Sequence, residues 1–351
     1  MGQHKLTIGD ITLTRPIIQG GMGVGVSRSR LAAAVAREGG MGIISTAQIG
    51  YDEKGFYDDP MGTNLMAVKK HLKLAREEAN GGAVGFNIMV ATRGYEEYVR
   101  TAAEAGADVI ISGAGLPVDL PAYVSGTATK IAPIVSSEKA AKVILKFWDR
   151  KYKRTADFIV VEGPKAGGHL GFSRHQLEQI ANNELDYEQE ILRIFAAVKA
   201  YEEKYERKIP VILAGGIFDR GDVQHALELG ADGVQIASRF VATEECDAAD
   251  AYKQAYIDAS EDDICIVDSP VGMPGRAVNN YFLKNVAGKS PITNCTRCLE
   301  HCNPKEAPYC ITKALIEAVK GNVDQGLIFC GANVGKIDKI VTVKELMQEL
   351  A

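Results

Sequence analysis

Short apolar runs rich in β-branched residues recur along the chain, and between them lie longer segments whose apolar positions return at helical spacing. PIIQ (16–19), MGIIS (41–45), AVGFNIM (83–89), DVIIS (108–112), KIAPIVS (130–136), DFIVVEG (157–163), PVILAGG (210–216) and GVQIAS (233–238) read as eight strands. An apolar run without alternation marks a strand covered on both faces, the pattern of parallel sheets. Helical patterns fill the gaps. SRSRLAAAVAREGG predicts a helix with Ser27 or Ser29 as cap and Gly39 as stop, another lies near 64–78, and EQEILRIFAAVKAYEEKY precedes the seventh strand.

AREGGMGII, AEAGADVII and LELGADGVQI each run helix end, glycine, buried strand, a repeat at irregular spacing that suits β/α units rather than a solenoid. Eight such units fill about the 250 residues a β/α barrel usually needs. The expected fold is therefore α/β: a (β/α)8 TIM barrel over 1–260, then a smaller, mainly helical appendage over 261–351 that forms a lid, carries cysteines and returns to the barrel. A doubly wound open sheet is the rival. Against it, the glycines after the first strand are not matched by an acidic residue at the end of the second, where Ser45 stands.

Composition narrows the partners more than the fold. The 351 residues are 46% hydrophobic, ample for a core, and the net charge of −5 comes without a basic cluster, so neither nucleic acid nor an anionic membrane is expected as a partner. No apolar run approaches membrane-spanning length, and the first sixteen residues lack the apolar core of a signal peptide; a cytoplasmic location is the expectation.

Each strand exit is small or polar: Gly20 to Gly23, Asn87, Gly113 to Gly115, Ser136, Gly167 to Gly171, Gly215 and Gly216, Gln235 to Ser238. In a barrel these exits face one mouth and form a ligand surface. After strands seven and eight, Gly215 and Gly216 expose backbone amides and Asp219 or Asp222 can cap the next helix, an arrangement suited to phosphate. The plainer reading of the two glycines is a tight turn. His169, in AGGHLG just past the sixth strand, supplies an imidazole that changes charge near neutral pH. A solitary histidine often only satisfies backbone groups, but none of His4, His71, His175, His225 or His301 sits in a comparable turn.

Taken together, IIQGGMG, GFNIM, SGAG, EGPKAGGHLG, PVILAGGI and GVQIASRF resemble the nitronate monooxygenase family, formerly 2-nitropropane dioxygenases, and the related FMN-dependent enoyl-ACP reductases. The resemblance implies FMN held without a covalent link. Gly21, Met22 and Gly23 would lie against the flavin ring and Asn87 near its polar edge, with Gly168, Gly215, Gly216, Gln235, Ala237 and Ser238 at the phosphate end. His169 matches the family's active-site histidine, taking a proton from the carbon beside a nitro group or hydrogen-bonding the anionic nitronate. The implied activity is oxidation of alkyl nitronates or nitroalkanes with dioxygen to a carbonyl compound and nitrite. Alternatives are NAD(P)H-dependent reduction of an enoyl thioester and a non-catalytic flavin- or metal-binding scaffold. The expected partner is a small-molecule substrate, nitronate or enoyl thioester, and a homodimer is compatible with the resemblance. SPVGMPGRAVNN (269–280) resembles the segment that closes over the site in both branches. DQGLIFCG resembles the family's late glycine segment, adding Gly326, Gly331 and Asn333 as candidates or as ordinary turn residues.

The appendage departs from that resemblance. Cys295, Cys298, Cys302 and Cys310 follow a C-x-x-C-x-x-x-C pattern with a fourth cysteine beyond. Such thiolates can hold an iron–sulfur cluster or zinc, with His301 able to replace one ligand; the alternative is reduced thiols under a loop. Cys246, Cys265 and Cys330 read as packing residues.

Overall fold

The chain opens with a hairpin of β1 (Leu6–Ile8) and β2 (Ile11–Leu13), followed by β3 (Ile17–Gln19), α1 (Ser29–Arg37), β4 (Gly42–Ser45), α2 (Pro60–Glu78), β5 (Val84–Met89), α3 (Tyr95–Glu104) and β6 (Val109–Gly113). Next come α4 (Leu120–Tyr123), β7 (Lys130–Val135), α5 (Glu138–Tyr152), β8 (Ile159–Glu162), a two-residue β9 (Gly168–His169), α6 (Arg174–Ala181), α7 (Tyr187–Tyr205) and β10 (Val211–Ala214). The rest comprises α8 (Arg220–Leu229), β11 (Gly233–Ile236), α9 (Ser238–Val241), α10 (Asp250–Ile257), β12 (Ile264–Asp268), β13 (Pro274–Val278), α11 (Ile311–Val319) and α12 (Val343–Leu350). This computed structural model describes residues 4–289, 291–293 and 295–351; residues 1–3, where the stretch read for a signal peptide begins, lie outside them.

Eight parallel strands pair in the order β3-β11-β10-β8-β7-β6-β5-β4, and a parallel bridge between Ile18 and Met41 joins the two ends. The order follows the chain round the ring without the reversal a doubly wound sheet needs, so the fold is a (β/α)8 barrel. Period-two alternation builds both faces. Ile18, Ile43, Val109, Ile111, Ala132, Phe158, Val160 and Ile212 fill the interior, while Ile17, Ile44, Phe86, Ile110, Ile159, Val161, Leu213 and Val234 pack on the helices. Each such side chain stabilises the fold by about 1.5–3 kcal/mol when fully buried. Leu6, Ile8 and Leu13 of the hairpin join the interior set, and Leu6 lies against Gly233 at the start of β11. The hairpin thus plugs the end where the strands begin.

Two local details differ from the sequence reading. Ser27 does not cap α1, because its hydroxyl already accepts the Met22 N–H (2.7 Å) in the turn after β3. Arg28 occupies the N-cap position without a side-chain bond. The Asp247 carboxylate, from beyond the barrel's last strand, instead accepts the N–H groups of Arg28 (2.8 Å), Leu31 (3.2 Å) and Arg30 (3.4 Å). The glycine-studded stretch after β8 is not all loop: β9 adds antiparallel to β13, which pairs with β12, so Gly168 and His169 belong to a three-stranded sheet over the barrel mouth.

Candidate active site

A cavity of about 410 Å³ opens where the strands end. Gly21, Met22, Gly23 and Asn87 line one side, and Gly168, His169, Gly215, Gly216, Gln235, Ala237 and Ser238 the other. All the flavin-associated positions inferred from sequence therefore meet at one cavity. The first side depends on a missing side chain, since a Cβ on Gly21 would fall 2.4 Å from the Asn87 Cβ. On the other side Gly215 and Gly216 have φ of +88° and +99°, a left-handed turn that favours glycine. That turn is braced from the C-terminal segment: Asn333 Nδ2 donates to the Gly216 carbonyl (2.8 Å), and the Gly331 N–H donates to Ser238 Oγ (2.9 Å). Gly331 and Asn333 line the cavity. Gly326 lies against the Ala318 backbone, where even a Cβ would clash at 2.3 Å, and its role is packing.

His169 pairs in register with Gly275 of β13, and its Nε2 shares a hydrogen bond of 2.7 Å with Ser269 Oγ. Phe329 meets the ring edge-on at a centroid distance of 5.0 Å. Burial lowers the imidazole to about 4, so it is neutral at pH 7. Arg276, next on β13, donates to the carbonyls of Pro164 (2.8 Å) and Ala166, tying down the loop that leads to the histidine.

Several lining residues escaped the sequence reading. Glu162, the last residue of β8, is the principal one; burial alone pushes its carboxyl up to about 8. Its signal was available, because alternation from Phe158 and Val160 turns it inward. Lys165 lines the cavity with its stem against Gly216, about 3.0 Å from a Cβ placed there. Tyr252 and Tyr256 of α10 and Phe329 line it too, and nothing local in the sequence marks them.

The cysteine segment forms part of the wall. Leu299 bridges Thr92, and the Arg93 N–H donates to the Cys298 carbonyl (3.1 Å), so Cys298 lines the cavity. The metal expectation for Cys295, Cys298, Cys302 and Cys310 is not met: among the described residues no three His, Cys, Asp or Glu side chains are grouped to hold a metal ion. The four thiols lie near enough to act on one another's ionisation, but their exposure differs. Cys295 is exposed and accepts the Arg297 N–H (3.4 Å), whereas Cys298 and Cys302 pack beside Tyr309, Ile311 and Leu327. Burial first, and then the other cysteines of the segment, raise the Cys298 and Cys302 thiols. Cys330, read as packing, is buried but borders the cavity. His225 is exposed beside Glu188 at 3.0 Å. Among the described residues no helix is long and apolar enough to cross a membrane.

The family model for nitronate monooxygenase matches residues 5–351. A probable nitronate monooxygenase of Bacillus subtilis is 24% identical over 97% of this chain and 96% of its own length. A (3aS,4S,5R,7aS)-5-hydroxy-7a-methyl-1-oxo-octahydro-1H-indene-4-carboxyl-CoA dehydrogenase of Rhodococcus jostii is 24% identical over 96% and 92%. Among solved structures, FabK from Thermotoga maritima superposes with a TM-score of 0.72 at 26% identity, over 96% of this chain and 92% of that one. A nitroalkane oxidase from Streptomyces ansochromogenes, at 21% identity and a TM-score of 0.68, shares the fold over 95% and 94%. With a full-length family match, a barrel of the same build and its cavity at the strand ends, this chain is an oxidoreductase belonging to the nitronate monooxygenase family.

Proposed function

We propose that the protein binds FMN in the cavity and oxidises alkyl nitronates with dioxygen to a carbonyl compound and nitrite. The cavity's make-up suits the cofactor. A flat ring needs a wall free of side chains, which Gly21 and Gly23 supply. A dianionic tail suits the glycine turn at Gly215 and Gly216, the first N–H groups of α9, which have no partner within the helix, and the Lys165 side chain across Gly216. When bound, FMN supplies the electron acceptor that the protein's own side chains lack.

The observation that carries the substrate reading is the neutral His169 held against Ser269 at the cavity wall. Burial holds the imidazole below its ordinary range, which weakens it as a base toward a carbon acid at pH 7. Of the two roles open to it, donating a ring N–H to a substrate that is already a nitronate anion fits better. Phe329, against the ring's edge, and Ser269 fix its direction. The apolar wall from Val271, Met273, Leu299 and Leu315 accepts the alkyl part.

The test is anaerobic mixing of the FMN-loaded protein with propyl nitronate, NADH or NADPH in turn, following the flavin absorbance. Bleaching by nitronate, lost in His169→Ala with FMN retained, is expected. Bleaching by NAD(P)H alone, with an enoyl thioester as re-oxidant, would overturn the proposal in favour of a reductase, and bleaching by none would favour a scaffold without turnover.

A further inference from the structure

Gln48 stands in the turn that follows β4, is only 6% exposed, and lines the cavity. Its φ is +47°, a left-handed conformation uncommon for a residue with a Cβ, so the turn holds a long side chain where glycine would sit more easily. A backbone donor fixes which way its amide faces. The Gly50 N–H donates to Asn64 Oδ1 at 2.8 Å, which leaves Asn64 Nδ2 to donate toward Gln48 and makes Gln48 Oε1 the acceptor at 3.2 Å. The two hydrogens on Gln48 Nε2 are left over. Among the described residues Nε2 has no partner, yet it is not one of the sealed-off polar atoms, so it opens onto the cavity. A nearly buried amide donor without an acceptor in the protein calls for one from a bound molecule.

We propose that Gln48 is a cofactor-binding residue whose amide donates a hydrogen bond to a carbonyl oxygen of the flavin ring. This rests on the FMN reading above. The placement follows from the order of the strands. The glycine turn and helix end suited to the tail leave β10 and β11, which lie three and two strands round the ring from β4 by way of β3. The wall suited to the flat ring leaves β3, between them. It abuts the Gln48 turn, since a Cβ on Gly23 would fall 2.6 Å from the Ala47 Cβ and 2.7 Å from Ser45 Oγ. Thr46 ties the same turn to β5, its N–H donating to the Asn87 carbonyl at 3.1 Å. A ring laid on Gly23 with its tail at β10 and β11 brings the edge remote from the tail to β4, and that edge of a flavin carries a carbonyl oxygen. Reduction puts negative charge on the carbonyl oxygens, so the bond is stronger in the reduced flavin than in the oxidised one.

The experiment pairs fluorescence titration of FMN into the stripped protein with the midpoint potential of the bound flavin, measured against a reference dye; circular dichroism confirms folding. Gln48→Met keeps the length of the side chain and removes the donor. Gln48→Glu keeps an acceptor for Asn64 but turns an oxygen toward the flavin. Gln48→Met is expected to raise the Kd at least about fivefold. It should also lower the potential by about 30 mV, a tenfold change in the ratio of reduced to oxidised flavin. Gln48→Glu should raise the Kd further than Gln48→Met. An unchanged Kd and potential in both variants would overturn the proposal, and a raised KM for nitronate beside them would assign the amide to the substrate instead. Weaker binding with an unshifted potential would reduce Gln48 to packing and overturn the donor role. In each of those cases FMN stays the cofactor. Failure of the wild type to take up FMN would remove the cofactor reading, and this inference with it.

Discussion

His169 Nε2 and Ser269 Oγ, a hundred residues apart in sequence, lie 2.7 Å from one another and join the loop after β8 to the turn between β12 and β13. The same serine oxygen accepts the Val271 N–H at 3.3 Å, so the bond that aims the imidazole also shapes the segment covering the cavity. Ser269→Ala should leave FMN bound and lower kcat/KM for nitronate about tenfold, roughly 1.4 kcal/mol of transition-state stabilisation. Steady-state kinetics beside a flavin-to-protein ratio would check it, and an unchanged kcat/KM would show that packing alone orients the ring.

Gly21 and Asn87 meet across the cavity floor with no room for a methyl group, since a Cβ on Gly21 would overlap the Asn87 Cβ. Gly21→Ala should cost about 1–3 kcal/mol of stability through overpacking and reduce FMN content as purified. Adding Asn87→Gly removes the opposing atom and should recover much of the stability. Urea denaturation of the single and double variants decides, and no recovery in the double variant would place the strain elsewhere.

Asp247 caps α1 from 219 residues away, accepting the Arg28 N–H at 2.8 Å. Asp247→Ala leaves buried donors without an acceptor and is expected to destabilise the fold by about 1–2 kcal/mol with little change in KM. A urea midpoint equal to that of the wild type would contradict the capping role.

Acid stability should report two histidines. Burial lowers His169 to about 4, and burial followed by the charges of Arg28 and Lys70 lowers His71 to about 4, both from an ordinary 6.5. Between those limits the folded state binds fewer protons than the unfolded one, so the contribution is complete above pH 6.5 and lost as the pH falls toward 4. At about 1.4 kcal/mol per unit, each accounts for roughly 3 kcal/mol at most. Glu162 runs the other way, raised from 4.5 to about 8, and its contribution is lost as the pH rises through that window. The cofactor-free His169→Gln protein should therefore lose stability less steeply than the wild type from pH 6.5 to 4.5, retaining the His71 share. Parallel slopes in urea titrations would argue that His169 titrates normally.

The order and kind of the barrel elements were readable from the chain, because a buried parallel strand is written as an apolar run and a β/α unit as that run plus a periodic helix. Strand exits were readable for the same reason, and with them the meeting of Gly21, Asn87, His169, Gly216 and Ser238 at one mouth. Even Glu162 was legible through its place in the alternation. What depends on contacts distant in sequence was not. Asp247 replaces Ser27 at the start of α1, Ser269 reaches His169, and Arg276 steadies the loop before it, each through a hydrogen bond spanning about a hundred residues or more. The cysteines fall between the two cases. Their spacing suggests a ligand set, but only the way the appendage packs on Thr92 and Tyr309 decides where each sulfur points, since spacing constrains neighbours along the chain and packing constrains directions in space.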